Sequence, residues 1–186
     1  LQEYGKELKV PTMLQVYPEL AREARNDEWT YEEFLKHVFE AEVLERRYRC
    51  SEKRIREARF PDLKTLDQLD WQALNGVSKP KVLELAGCEY IDKGRDIVLA
   101  GPIGTGKTHL AIALGMEAAR RRHRVAFIRA SELVRDLLEA KDERTLGRLH
   151  NRYLNVALLV VDELGFTPFN KLEGELLFNL LADRYE

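Results

Sequence analysis

The chain has 186 residues, 33% of them charged and 45% hydrophobic, with a net charge of −2 at neutral pH. That length holds one full domain plus a smaller appendage, and the balance of charged and apolar residues excludes a disordered or fibrous chain. No apolar run approaches the roughly 20 residues that cross a bilayer, and so weak a net charge gives no global attraction to polyanions. Any nucleic-acid surface must come from local clusters of Arg and Lys.

The N-terminal LQEYGKELKV lacks the apolar core and cleavage site of a signal peptide. Cys50 and Cys88 lie far apart, with no C-x-x-C and no His partner at metal-binding spacing. Two reduced thiols in a cytoplasmic protein are expected.

Residues 1–60 read as a helical N-terminal domain. Leu14, Leu20 and Ala24 give one apolar stripe; Phe34, Leu35, Val38, Phe39 and Val43 give another at spacings of three and four. Pro18 fits the start of a short helix, and Thr30 with Glu33 three residues later fits a capping box. From Glu40 to Arg59 the helix is densely charged, carrying Arg46, Arg47, Arg49, Lys53, Arg54, Arg56 and Arg59 among glutamates. Phe60-Pro61 ends it, because a residue before proline disfavours the helical region. The basic stretch has two readings, a solvated helix laced with ion pairs and a DNA-phosphate contact through Arg46, Arg47, Lys53 and Arg54.

Residues 61–94 form a connector with Leu63, Leu66, Leu69 and Trp71, a short helix around Pro80–Ala86, and a turn at Asp92-Lys93-Gly94. Residues 95–186 read as α/β. Strands are expected at Ile97–Ala100, Val125–Arg129 and Val156–Val161, and helices after the glycine loop to about Arg121, after a Ser131 cap, and over about Leu146–Leu154. Apolar runs without alternation suit strands buried on both faces of a parallel sheet. Arg120-Arg-Arg-His-Arg124 sits at a helix end, where phosphate contact and favourable interaction with the helix dipole are both open.

The chemistry lies in Gly101-Pro102-Ile103-Gly104-Thr105-Gly106-Lys107-Thr108, which matches G-x-x-x-x-G-K-[ST] between a strand and a helix. The glycines let the backbone wrap tightly so that successive N–H groups face phosphate oxygens, and the helix adds its positive end. Lys107 would neutralise the β- and γ-phosphates of ATP, and Thr108 would offer its hydroxyl to Mg²⁺. His109 follows as a first-turn residue and joins the nucleotide-binding set. Asp162, at the end of an apolar strand, is placed to hold Mg²⁺, and Glu163 beside it can polarise the attacking water. Asn170-Lys-Leu-Glu173 lacks the Asp and the preceding strand of a guanine-specificity motif, and Gly104-Thr-Gly106 lacks the third glycine of a dinucleotide fingerprint.

Four stretches carry a family resemblance: RFPDLKTL at 59–66, GPIGTGKTHLAIALG at 101–115, LLVVDELGF at 158–166 and LLFNLLADRYE at 176–186. The chain resembles the IstB-like ATPase helpers of insertion-sequence transposases, within the AAA+ superfamily. The resemblance implies a helical N-terminal domain before an AAA+ P-loop NTPase core, ATP hydrolysis, self-association into an ATP-dependent oligomer on duplex DNA, and presentation of target DNA to a transposase. DnaC-like helicase loaders share the core and are the alternative. Small-molecule kinases and a non-hydrolysing nucleotide-gated module are further readings. The family would continue beyond Glu186 with a sensor strand, an arginine finger and a helical lid. Weak turnover is therefore expected of residues 1–186 alone.

Overall fold

The computed structural model describes residues 1–71, 74, 76–165 and 168–185. Contacts divide the chain into two compact units, Leu1–Ser51 and Glu52–Glu186.

Helices α1 (Gln2–Glu7), α2 (Pro11–Asn26) and α3 (Tyr31–Ala58) account for the first unit, α3 continuing into the second. Pro11, not Pro18, opens α2: a proline at the first helical position loses no hydrogen bond, while Pro18 lies inside the helix. The expected capping box forms, with Glu33 N donating to Thr30 Oγ1 at 3.2 Å and Thr30 N donating to Glu33 Oε2 at 2.8 Å. The second apolar stripe is only partly covered. Val38 is buried, whereas Leu35, Phe39 and Val43 are exposed.

What ties α2 to α3 is a buried carboxylate. Glu42 is 5% exposed. It accepts from the backbone N–H groups of Thr12 and Met13 at 2.9 and 3.1 Å, in the first turn of α2. Arg46 Nε donates to it at 2.7 Å, and the same guanidinium donates to the Lys9 carbonyl. A negative charge at a helix N-terminus is favourable, and the open N–H groups of that turn gain a partner.

In the second unit α3 ends at Ala58, and Arg59 takes a left-handed φ of 58° before Phe60 and Pro61. A single 3-10 turn (Leu66–Gln68), α4 (Lys79–Ala86) and α5 (Glu89–Asp92) follow. Next come α6 (Lys107–Arg120), β1 (Val125–Arg129), α7 (Ala130–Asp142), α8 (Leu146–Leu154), β2 (Leu158–Asp162) and α9 (Lys171–Tyr185). Ser131 is inside α7 and makes no cap, since Arg129 is the flanking residue and α7 starts without a loop. Asn170 and Glu173 form the capping box of α9, with reciprocal bonds of 2.8 and 3.0 Å.

β1 and β2 pair in parallel, in register from Val125↔Leu158 to Arg129↔Asp162. Side chains alternate across a strand, and helices cover both faces of the pair, with β1 largely buried and β2 half-buried. Ala126, Ile128, Leu159 and Val161 join Leu133, Leu137, Tyr153, Leu177 and Leu180 from α7, α8 and α9. Val125, Phe127, Leu158 and Val160 meet α6 together with the end of α3. The result is helix, sheet, helix.

The expected strand at Ile97–Ala100 is not one: among the described residues the sheet has two strands. Ile97 and Leu99 pack against Leu110 and Leu114 of α6, while Val98 is 87% exposed. The segment is covered on one side only and has no ladder partner among the described residues, so apolar composition alone does not make it a strand. Among the described residues, no helix is long and apolar enough to cross a membrane.

Glu42 generates a pH prediction. Burial disfavours its charge, but the Arg46 hydrogen bond and the two amides outweigh burial and hold the carboxyl below its ordinary range. A folded pKa below the unfolded one gives stability that is complete above the unfolded value and is lost as pH falls through the folded value. Glu42→Gln is expected to lose roughly 1–3 kcal/mol near neutral pH and to flatten the acid limb of stability. Urea midpoints from pH 7 down to about pH 3 check this; parallel limbs for the two proteins would refute it.

Candidate nucleotide site

The loop Gly101–Gly106 leads directly into α6, with Gly106 as the residue preceding the first helical turn. Gly104 and Gly106 hold φ of 81° and 80°, a region L-residues with a Cβ seldom adopt. At Gly106 there is a second constraint, because a Cβ would lie 3.1 Å from Leu74 of the connector. The loop is therefore tight from both its own dihedrals and its neighbour.

Lys107 folds back over this loop. Its Nζ donates to the Pro102 carbonyl at 2.6 Å and stands 3.5 Å from Thr105 Oγ1, which itself donates to Pro102 O at 2.9 Å. Ile103 points outward, 82% exposed. The loop thus carries a cation within its own curve, held by the Pro102 carbonyl.

Thr108, one residue on, reaches the other half of the site. Its Oγ1 donates to Asp162, with Oδ1 and Oδ2 at 3.1 and 3.0 Å. The contact spans 54 residues of sequence and joins the first turn of α6 to the last residue of β2. Among the described residues, no group of three or more His, Cys, Asp or Glu side chains is arranged to hold a metal. One carboxylate and one hydroxyl are the hard-oxygen set that suits Mg²⁺ shared with phosphate, rather than a metal caged by protein alone.

Glu163 lies just past the strand with φ of 60°. Its carboxylate is 3.9 Å from Arg129 Nε, and a second nitrogen of the same guanidinium is 3.9 Å from Glu132. Arg129 was not legible as a site residue in the sequence. Only the register that sets it opposite Asp162 brings it there.

His109 turns away from the loop. Its Nε2 is 3.1 Å from the Thr65 carbonyl, which can only accept, so that nitrogen carries the proton. This bond fastens α6 to the start of the 3-10 turn. Leu66, Leu69, Trp71 and Leu74 of the connector pack with Leu110 and Leu114, and Lys79 Nζ sits 5.1 Å over the Trp71 ring. The connector is in this way laid along the half of α6 that carries the loop.

The basic residues nominated from sequence divide. Arg46 is engaged by Glu42 and Lys9. Arg54 and Lys53 both face Glu57, at 2.8 and 3.7 Å. Arg47 is exposed and forms no ion pair among the described residues.

Comparison with known proteins bears on the same residues. A family model described as IstB-like ATP binding protein matches residues 4–186. The ATP-binding protein of insertion sequence IS21 from Pseudomonas aeruginosa is 40% identical over 90% of this chain and 63% of its own length. That of insertion sequence IS5376 from Geobacillus stearothermophilus is 34% identical over 100% of this chain and 74% of its own. An insertion-sequence ATP-binding protein of Sinorhizobium fredii is 35% identical over 97% of this chain and 61% of its own length. The chain thus spans under two thirds of the Pseudomonas and Sinorhizobium relatives. A match running through the loop, the Asp162 strand and the connector alike leaves one assignment: the chain belongs to the IstB-like ATP binding protein family.

Proposed function

We propose that this chain is the ATP-binding and ATP-hydrolysing part of an AAA+ regulator of DNA transposition, which self-associates on duplex DNA and presents it to a transposase. The observation that carries the reading is the Thr108–Asp162 contact beside the Lys107 loop. It supports one site by tying the turn after the loop to the end of β2, with the Glu163 carboxylate, 3.9 Å from Arg129 Nε, one residue further. The names of the relatives, all drawn from insertion sequences, support transposition over helicase loading.

The residues have distinct tasks in this reading. Backbone N–H groups of residues 101–108 bind the phosphates, and Lys107 exchanges its Pro102 carbonyl for a phosphate oxygen, a better partner for an ammonium. Thr108 and Asp162 hold Mg²⁺, which when bound screens phosphate charge and orients the terminal phosphate. Glu163 accepts a hydrogen bond from the attacking water and takes its proton. The connector at Leu66–Trp71 forms the adenine edge. Residues 1–60 serve as a helical domain for DNA or partner contact, 61–94 as the connector, and 95–186 as the N-terminal part of the AAA+ module.

A pair of substitutions separates binding from hydrolysis. Lys107→Ala is expected to weaken binding of a fluorescent ATP analogue roughly 100-fold, the loss that follows from removing charge-assisted bonds worth about 3 kcal/mol. Glu163→Gln should leave that affinity within about threefold and lower turnover by roughly 10²–10⁴. Equal losses of binding in the two variants would remove Glu163 from the role of base.

The loop offers a third comparison. Gly104→Ala meets nothing within 4 Å, whereas Gly106→Ala also meets Leu74. Both pay about 1 kcal/mol for the left-handed backbone, and Gly106→Ala should show the larger drop in melting temperature and in analogue binding. For the DNA partner, duplex should stimulate ATP turnover of the full-length protein, and indifference of that turnover to duplex would count against the transposition reading.

A further inference from the structure

Along α3 most cations are held by acids of the same helix, Arg46 by Glu42, Arg49 by Glu45, and Lys53 and Arg54 by Glu57. A second group, elsewhere in Glu52–Glu186, is differently placed. Arg59, Arg122, Arg124 and Arg152 are exposed, and none forms an ion pair among the described residues.

These four gather at one edge of the sheet. The strands are parallel, so the segments entering them lie side by side: Ala157 N and Leu158 N both donate to the Arg124 carbonyl, at 2.8 and 3.1 Å. Arg122 precedes β1 in a tight turn with φ of 71°. Arg152 lies 5.5 Å from the Tyr153 ring in the last turn of α8, five residues before Ala157 of that crossing. Ala58, the residue before Arg59, packs in one core cluster with Val125, the residue after Arg124, which sets Arg59 beside the start of β1. Arg184, half-buried, donates to the Tyr153 and Val156 carbonyls and adds a positive charge beneath this edge. Asp96 lies within electrostatic reach of Arg184, and three other nearby acids have cations of their own. Glu117 is on Arg120 at 2.7 Å, Glu132 is 3.9 Å from Arg129, and Asp136 is 3.9 Å from Arg135.

We propose that this edge, through Arg59, Arg122, Arg124 and Arg152, is a contact surface for the phosphate backbone of duplex DNA. The inference rests on the duplex partner of the preceding section and gives it a location other than the Arg46–Arg54 stretch. All four residues are Arg, whose planar fork matches phosphate oxygens two at a time. They project from three elements whose backbones are anchored in the core, a fixed array suited to a stiff, regularly charged polymer. A lipid surface would call for apolar anchors among the cations; the apolar residues here, Ala58, Val125 and Tyr153, are buried.

The test is binding of a fluorescent duplex by the full chain across a salt series. Each phosphate contact contributes about 0.9 to the slope of log affinity against log salt. Replacing all four arginines by Gln should therefore reduce the slope by about 3 to 4 and the affinity near 0.1 M salt by at least roughly 100-fold. Arg46→Gln/Lys53→Gln/Arg54→Gln, at cations already held by acids of their own helix, should reduce the slope by less than about 1. ATP-analogue binding reports folding in both variants. If the fourfold variant fails there, Arg122→Gln/Arg124→Gln takes its place, with an expected slope change of about 2. Unaltered slope in the edge variants, with normal duplex binding by the unsubstituted chain, overturns this inference alone. So does arginine-dependent binding to phosphatidylserine vesicles while those variants bind duplex normally. Absence of any duplex binding by the unsubstituted chain removes the partner reading and this inference together.

Discussion

The Thr108 hydroxyl and the Asp162 carboxylate meet at 3.0–3.1 Å, and much of Glu52–Glu186 can be understood as the scaffold for that contact. Thr108 is fixed by α6, whose buried face of Ile112, Met116, Ala118 and Ala119 packs against one side of the sheet. Asp162 is fixed by β2, whose opposite side packs against α7, α8 and α9. Neither element could be shifted by one residue without loss. A one-residue slip of β2 would exchange its two faces and carry Asp162 out of register with Arg129.

Backbone conformation supplies what packing does not. Three residues around the site, Gly104, Gly106 and Glu163, sit at left-handed φ of 81°, 80° and 60°. For the glycines this costs little; for Glu163 it costs about 1 kcal/mol and turns the chain sharply as it leaves the strand. Adjacent residues in a continued strand would point to opposite faces. The turn at Glu163 breaks that alternation just where two acids follow one another. One of them faces α6, and the other stands beside Arg129.

The phosphate loop, the Asp162 strand and the helices at 107–120 and 146–154 were legible in the sequence because each is dictated locally, by glycine spacing or by periodic apolar residues. What escaped was set by partners distant in sequence. Ile97–Ala100 has strand composition, yet a strand exists only through a neighbour, and none pairs with it among the described residues. Asn170–Glu173 could be dismissed as a guanine motif, but its reciprocal bonds at the start of α9 are a spacing signal that capping rules could have supplied. Ser131 failed as a cap because β1 passes straight into α7, leaving no loop residue for it to be. Arg129 became a neighbour of Glu163 through register alone. The Phe166 end of the quoted strand motif lies outside the described residues.

The charged helix α3 makes a further point about reading basic sequence. Counting its arginines suggests a polyanion surface, but availability depends on the distance to the nearest acid along the helix. Glu42–Arg46 and Glu45–Arg49 have the acid four residues before the cation, the order that an α-helix favours, and they close at 2.7 and 2.5 Å. Lys53–Glu57 has the reverse order and stands at 3.7 Å. Turns have no such periodicity. Arg122 follows a helix end and Arg124 enters a strand, so neither has an acid presented at fixed spacing by its own element. Their carbonyl and amide groups are tied into the fold while their side chains remain exposed. Acid-poor segments between elements, rather than the most arginine-rich helix, are therefore where cations stay available to a partner.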